Sequence, residues 1–455
     1  MFKYCIKGKM KKLLLLLVLT TYIGCTTEPK KDDYQNPTTI SGVVKNSSGQ
    51  VVSNAKVSLS TAPTYEGMLT NDQGQFILQN FPASKHTLKV ERLGYETFLG
   101  EVPSAINGYS TINPVLTSKI YNVPTVKPLS TGSVRINNKK LEVDFDGDGI
   151  YQPYYVKGAA YSITPIGDKP ITSTLEDRSI QYLKYMNANT IRTYGTPGKT
   201  ILTKMAAQNI HVISGFWVNT DLDLSQSSVR QKVKDDFAKM VVDLKDNPGV
   251  LMWNLGNEQN YVNGNNAYWY SLCQELAIVA YQVEGEKYHP VCINNGNIYN
   301  IGDNSKNADD ASLTYIDLWA TNIYELNLVP RFDTYRTKTN KPLVVTEYGI
   351  DALDNRTKQE YESTQAVVDS MNWSQILSAS DVVIGGTVFE YTDEWWKAGD
   401  ANSHDYGGYN TGAHPDGYSN EEWWGLIAVT PDQNGDGYDE WRPRQVYYMF
   451  SRNWK

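Results

Sequence analysis

The chain has 455 residues, a formal net charge of −8 and a pI near 5.3. That length exceeds one average domain and accommodates a barrel of roughly 250 to 330 residues beside a smaller unit. The acidic balance, with no basic stripe beyond the first residues, argues against a nucleic-acid partner.

Lys3, Lys7, Lys9, Lys11 and Lys12 precede the apolar run from Leu13 to Leu19, and the segment closes on Tyr22, Ile23, Gly24 and Cys25. This is the order of a secretion signal over residues 1–24. The stretch from Leu13 to Gly24 is twelve residues, short of the roughly 20 that span a bilayer. Its end resembles a bacterial lipobox, with small Gly24 before Cys25, although Tyr22 stands where an aliphatic residue is usual. The expectation is an exported lipoprotein, periplasmic or at the cell surface, anchored to a membrane by lipid on Cys25. Residues 25–38, polar and charged, then form a tether. Cys5 leaves with the signal, so Cys273 and Cys292 are expected as core thiols rather than a disulfide framework.

Residues 39–117 alternate short strand-like runs with Asn, Ser, Asp and Gly turns, the pattern of an all-β sandwich. Gly42 before a strand, Ala55 and Val57 in the next, a turn from Thr70 into Phe76, Pro82, and Gly94-Tyr95 follow in order. That order resembles the carboxypeptidase-regulatory-like (prealbumin-like) module, read here as a spacer or packing domain.

A linker rich in Pro, Ser and Thr spans residues 118–131, and over residues 132–455 apolar strands alternate with amphipathic helices. That alternation signals βα units and a parallel sheet. Strands are predicted at Tyr155–Tyr161, Thr190–Tyr194, His211–Trp217, Val250–Asn254, Val291–Asn294, Leu318–Asn322, Leu343–Thr346 and Val383–Phe389. Helices are predicted at Leu175–Met186, Ile201–Gln208, Ser228–Leu244, Tyr268–Glu284 and Lys358–Leu377. The fifth and sixth units are the weakest, because Ile298–Ala311 is polar and rich in Gly and Asn and the sixth helix, near Pro330–Thr337, is short. Eight strands imply a closed barrel, so the fold class is multidomain: an all-β sandwich followed by an α/β (β/α)8 TIM barrel.

Two of these strands end in glutamate: Glu258 closes VLMWNLGNE after the fourth, and Glu347 lies in PLVVTEYG after the seventh. A buried parallel strand that runs into a carboxylate places it at the C-terminal edge, where barrel active sites assemble. Asn257-Glu258 in LGNE, Glu347 in TEYG, Arg192 at the end of strand 2 and Asn322-Ile323-Tyr324 after strand 6 together resemble the clan A glycoside hydrolases. Those are retaining (β/α)8 enzymes, and the likeness is nearest to family 2, family 17 and family 72 barrels.

The resemblance implies Glu258 as acid/base, Glu347 as nucleophile, Asn257 as donor to a sugar hydroxyl, and Arg192 and Tyr324 as partners of Glu347. A retaining double displacement needs two carboxyl groups about 5 to 5.5 Å apart, one to protonate the leaving oxygen and one to attack. From that likeness and the abundance of Trp and Tyr, a β-glucan or related polysaccharide is the expected substrate and no cofactor is required. The same residues serve a transglycosylase, and a non-catalytic carbohydrate-binding scaffold is the rival that the two glutamates speak against. Trp395, Trp396 and Trp217 are the first choices for stacking on sugars.

Glu325, Glu390 and Glu394 are rival carboxylates, and Glu390 or Asp393 is a further candidate for substrate contact. Asp144–Gly149 and Asp432–Gly437 match the first half of an EF-hand calcium loop, but position 12 is Tyr155 in one and Pro443 in the other instead of glutamate. Turns are the expectation there, with calcium the weaker alternative. His404 and His414, in a stretch with Asp400 and Asp405, make a weak metal candidate.

Overall fold

The computed structural model describes residues 38–61, 67–81, 85–92, 94–119, 123–262 and 265–455. The secretion signal, Cys25 and nearly all of the tether lie outside the described residues. Contacts divide the chain into two compact units, Met1–Ile120 and Tyr121–Lys455.

In the first unit a three-stranded sheet pairs Gln75–Phe81 with Thr38–Val43 and Thr38–Val43 with Tyr109–Thr111. A four-stranded sheet orders Met68–Leu69, Lys56–Leu59, Thr87–Glu91 and Phe98–Glu101. Alternating apolar side chains, among them Ile40, Val57, Leu59, Phe76, Leu78, Leu88 and Val90, fill one shared core. Gly42 lies inside the first strand rather than before it. A β-carbon there would sit 1.7 Å from the Ile112 carbonyl oxygen, so the close approach of that chain excludes any side chain.

In the second unit eight parallel strands close a barrel in sequence order. They are β1 (Val156–Ala160), β2 (Thr190–Arg192), β3 (His211–Phe216), β4 (Val250–Leu255), β5 (Val291–Gly296), β6 (Leu318–Asn322), β7 (Leu343–Glu347) and β8 (Val383–Val388). The last pairs with the first, Val156 opposite Gly385. The helices are α1 (Ser173–Tyr185), α2 (Lys199–Ala206), α3 (Ser227–Leu244), α4 (Asn266–Glu284), α5 (Val329–Arg336), α6 (Glu362–Ser378) and α7 (Gln445–Asn453). Thr172 starts α1 by accepting the Leu175 amide at 3.2 Å. On α3, Val233, Phe237, Met240, Val241 and Leu244 recur at helical spacing and are buried.

After β5 the described residues hold only a single 3-10 turn, Asn304–Lys306, in place of a helix. Asn297, Asn300 and Asn307 take left-handed φ values of 53°, 67° and 59°, and backbone of that kind cannot propagate a right-handed helix. The hairpin of Val134–Asn137 and Lys140–Val143 covers the lower end of the barrel. Its Val134, Leu141 and Val143 pack with Val156, Leu251, Cys292, Leu318 and Val344. With the lower mouth filled by apolar side chains, polar groups collect at the upper, C-terminal one.

Candidate active site

Arg192, Asn322 and Glu347 are the last residues of β2, β6 and β7. Tyr194, Asn257, Glu258 and Tyr324 follow their strands within three residues, so all seven side chains come from the C-terminal rim. Glu347 is buried at 5% exposure. It accepts hydrogen bonds from Arg192 and Tyr194 on Oε1, the latter at 2.8 Å, and from Tyr324 on Oε2. Donors from three side chains facing one buried carboxylate suit its ionised, acceptor-only form. The guanidinium is fully buried and also stacks over the Tyr194 ring, with Cζ 4.2 Å from the centroid.

Glu258 sits differently. Its backbone has φ 56° and ψ 27°, a left-handed conformation that costs a non-glycine residue about 1 kcal/mol or more. The Glu258 amide donates to the Asn294 carbonyl at 3.1 Å, and the Tyr261 amide donates back to the Glu258 carbonyl at 3.0 Å. Burial first, and then the negative charge of Glu347, push its carboxyl up to about 7. The Asn322 amide donates to Oε1 at 3.0 Å and opposes that rise, which leaves Oε2 to carry the proton.

Asn257 joins the two carboxylates. Its Oδ1 accepts from Arg192 Nη2 at 2.7 Å and from Asn322 Nδ2 at 3.1 Å. The Arg192 guanidinium can only donate, so the oxygen is assigned and the Asn257 amide nitrogen is the end left over for a ligand. Asn322 is held in turn from below: Thr346 Oγ1 donates to its Oδ1 at 3.0 Å and accepts from Asn294 Nδ2 at 2.8 Å. One hydrogen-bonded chain therefore runs Glu347–Arg192–Asn257–Asn322–Glu258, built from β2, β4, β6 and β7. Beneath the tyrosines, Ala160, Phe389 and Trp424 make an apolar floor against which Tyr194 and Tyr324 pack.

Of the side chains singled out in the sequence, Glu258, Glu347, Arg192, Asn257 and Tyr324 come together in this chain. Trp217, one residue past β3, is 52% exposed and Trp396 is 46% exposed, whereas Trp395 is buried and stacks on the His404 ring at 4.7 Å. Tyr194, Thr346 and Trp424 escaped the sequence analysis as members of the site. Tyr194 carried a usable signal, because it lies two residues beyond Arg192 and extended chain returns a side chain to the same face every second residue. Trp424 carried none, standing in a long segment after β8 among several other tryptophans.

The rival acids have partners of their own. Glu390 and Glu394 pair with Lys397 at 3.0 and 2.5 Å, Glu325 with Arg331 at 2.6 Å, and Asp393 with Arg444 at 2.7 Å. His404 Nε2 donates to the Glu422 carbonyl at 2.9 Å, and His414 meets Asp351 at 2.9 Å, so the two histidines face different neighbours. Among the described residues, Asp144, Asp146 and Asp148 are the group whose ligand atoms lie close enough for one ion. Asp144 and Asp148 accept the Gly149 and Ile150 amides at 3.0 and 2.7 Å, and Asp432 accepts the Gly435 and Gly437 amides at 2.7 and 2.8 Å. Both strings form turns.

Comparison with known proteins follows the two units. Residues 39–117 match a model of the carboxypeptidase regulatory-like domain. Residues 166–400, just over half of the chain, match the model of glycosyl hydrolases family 2, TIM barrel domain. Similar solved structures include a β-D-glucuronidase from Dictyoglomus thermophilum, at 15% identity and a TM-score of 0.50, covering 88% of this chain and 64% of that one. A β-galacturonidase from Eisenbergiella tayi bound to galacturonate has 12% identity and a TM-score of 0.51, covering 88% and 66%. A β-glucuronidase from Ruminococcus gnavus in complex with D-glucuronic acid has 16% identity and a TM-score of 0.50, covering 92% and 68%. The chain thus spans about two thirds or slightly less of these proteins, and at such identities the likeness is one of fold. A search of curated protein sequences returns no match. A barrel closed in sequence order, with its polar chain at the C-terminal rim and a family model over its core, identifies the chain as a member of glycosyl hydrolase family 2.

Proposed function

We propose that this chain is a retaining β-glycosidase in which Glu347 attacks the anomeric carbon while Glu258 protonates the departing oxygen. The observation that carries this is the contrast between two carboxyl groups on one hydrogen-bonded chain. Donors from three side chains meet Glu347, while Glu258 keeps its proton near neutrality by burial and by the charge of its partner. The attack forms a glycosyl–Glu347 ester and neutralises that charge. The carboxyl of Glu258, now deprotonated, loses part of what raised its pKa and serves as base for the incoming water. Water then breaks the ester, and the proton returns to Glu258. The amide nitrogen of Asn257 donates to the sugar hydroxyl beside the reacting carbon, where such bonds strengthen in the transition state.

The glycone in this reading is uncharged, and a β-glucan is the substrate class. Arg192, Lys397 and Arg331 are each paired with an acid already, and Glu421 adds negative potential at Glu258. A uronic acid of the kind bound by the similar E. tayi and R. gnavus structures would bring its carboxylate toward further negative charge. We also propose export with lipid on Cys25, which the order of charges and apolar residues at the N-terminus supports.

The test is a panel of 4-nitrophenyl β-glycosides of glucose, galactose, mannose and glucuronic acid, with the first-formed product anomer read by NMR. Turnover of a neutral glycoside with a β-configured first product is expected. An α-configured first product overturns the double displacement, and preference for the glucuronide overturns the uncharged glycone.

A further inference from the structure

The acid/base must touch the oxygen that leaves, so the departing group lies on the Glu258 side of the cleft. Tyr261 ends the short turn that begins at Glu258, with its amide bonded to the Glu258 carbonyl at 3.0 Å. Tyr299 reaches the same spot from the segment after β5, and the two rings meet edge to face with centroids 6.4 Å apart. They are 53% and 47% exposed and stand together beside the buried polar network of Glu258.

The pair is held firmly. A β-carbon on Gly296 would lie 2.0 Å from Tyr261 Cε2, so the ring packs directly against bare backbone at the end of β5. Asn260 and Gly296 exchange two hydrogen bonds, at 2.8 and 2.7 Å, that lock the turn to that strand. Arg331 caps Tyr299 with Cζ 5.7 Å from the ring centroid. It donates to Glu325, which also accepts from Asn297 at 3.1 Å. Rigid, half-exposed aromatic faces edged by a guanidinium and a carboxylate are complementary to a pyranose, which has apolar C–H faces and a hydroxyl rim.

We infer that Tyr261 and Tyr299, edged by Arg331 and Glu325, form a subsite for a sugar ring on the leaving-group side of Glu258. The aglycone of the natural substrate is therefore itself a carbohydrate. This rests on Glu258 being the acid/base. The same subsite receives acceptors. A hydroxyl oxygen of the bound sugar attacks the anomeric carbon, its proton goes to Glu258, and the bond to Glu347 breaks. The product is a lengthened saccharide instead of a hydrolysed one.

The experiment compares leaving groups that do and do not fill the subsite. The full chain and its Tyr261→Ala, Tyr299→Ala, Tyr261→Phe and Tyr299→Phe variants are assayed with the β-fluorides of glucose, galactose and mannose and the matching β-linked disaccharides. Fluoride reports glycone chemistry and the disaccharide adds the second ring. Each alanine variant is expected to lower the ratio of disaccharide to fluoride kcat/KM by about 3- to 10-fold, with the phenylalanine variants retaining most of it. Disaccharide added to the wild-type reaction with fluoride is expected to raise the yield of lengthened product, and the alanine variants to lose that increase. An unchanged ratio in both alanine variants overturns the subsite alone, as does an equal loss in the phenylalanine variants, which removes stacking as its basis. Absence of turnover on every fluoride overturns the glycosidase reading and the subsite with it.

Discussion

Glu347 and Glu258 differ in their neighbours more than in their chemistry, and each difference is testable one side chain at a time. Glu347→Ala removes the proposed nucleophile and should lower kcat by about 10^4-fold or more. Added azide should restore turnover as the inverted glycosyl azide, a product that separates a missing nucleophile from a misfolded barrel. In the proposed reaction Glu258 acts first as an acid, so its protonated form is the active one for bond cleavage. Because burial and Glu347 push it up to about 7, kcat/KM should fall as pH rises through that value. Glu258→Ala should abolish this basic limb and cost about 10^2- to 10^4-fold on substrates with poor leaving groups, with much less lost on activated ones. Tyr194→Phe deletes one charge-assisted hydrogen bond to Glu347, worth about 1.5 to 3 kcal/mol. That is a fall in kcat/KM of about 10- to 100-fold, read with an activated substrate. Glu258, Glu347, Arg192, Asn257 and Tyr324 were legible because each stands in a short string at a strand end. Thr346 and Asn294 were not, since a buried threonine or asparagine inside an apolar strand shows its hydrogen bonds only once the strands are paired.

At the scale of elements, periodicity carried the reading where burial is one-sided or complete, and failed where backbone conformation governs. All eight barrel strands lie within a few residues of their predicted ends, because runs such as Val250–Leu255 are buried on both faces and have no polar alternation to blur them. The predicted helix from Lys358 begins only at Glu362. Leu353–Asp354 and Gln359–Glu360 pair as a hairpin first, and Lys358 has a φ of 55°. The long segment after β8 is pinned by Arg444, which with Asp393 is fully buried. Its Nη1 and Nη2 donate to the two Asp393 oxygens at 2.7 Å each. Arg444→Met should cost about 3 to 5 kcal/mol, because it strands the Asp393 carboxylate in the interior, and chemical denaturation of the variant would read that loss. Replacing both residues with apolar ones of similar volume should recover most of it.

At the scale of the molecule, each of the two units has its own core, so the barrel unit of residues 121–455 should fold alone and keep the kcat/KM of the whole chain on small glycosides. The N-terminal segment makes a separate prediction: Cys25→Ser should move the protein from the membrane fraction to the soluble one, with activity toward small glycosides unchanged. The central claim is that Glu347 becomes covalently bonded to sugar, and the most direct measurement is trapping with a 2-deoxy-2-fluoro-β-glycosyl fluoride followed by peptide mass spectrometry. The label is expected on the peptide carrying Glu347, and to be absent from Glu347→Ala; stoichiometric label on Glu258, Glu390 or any other residue would contradict the account.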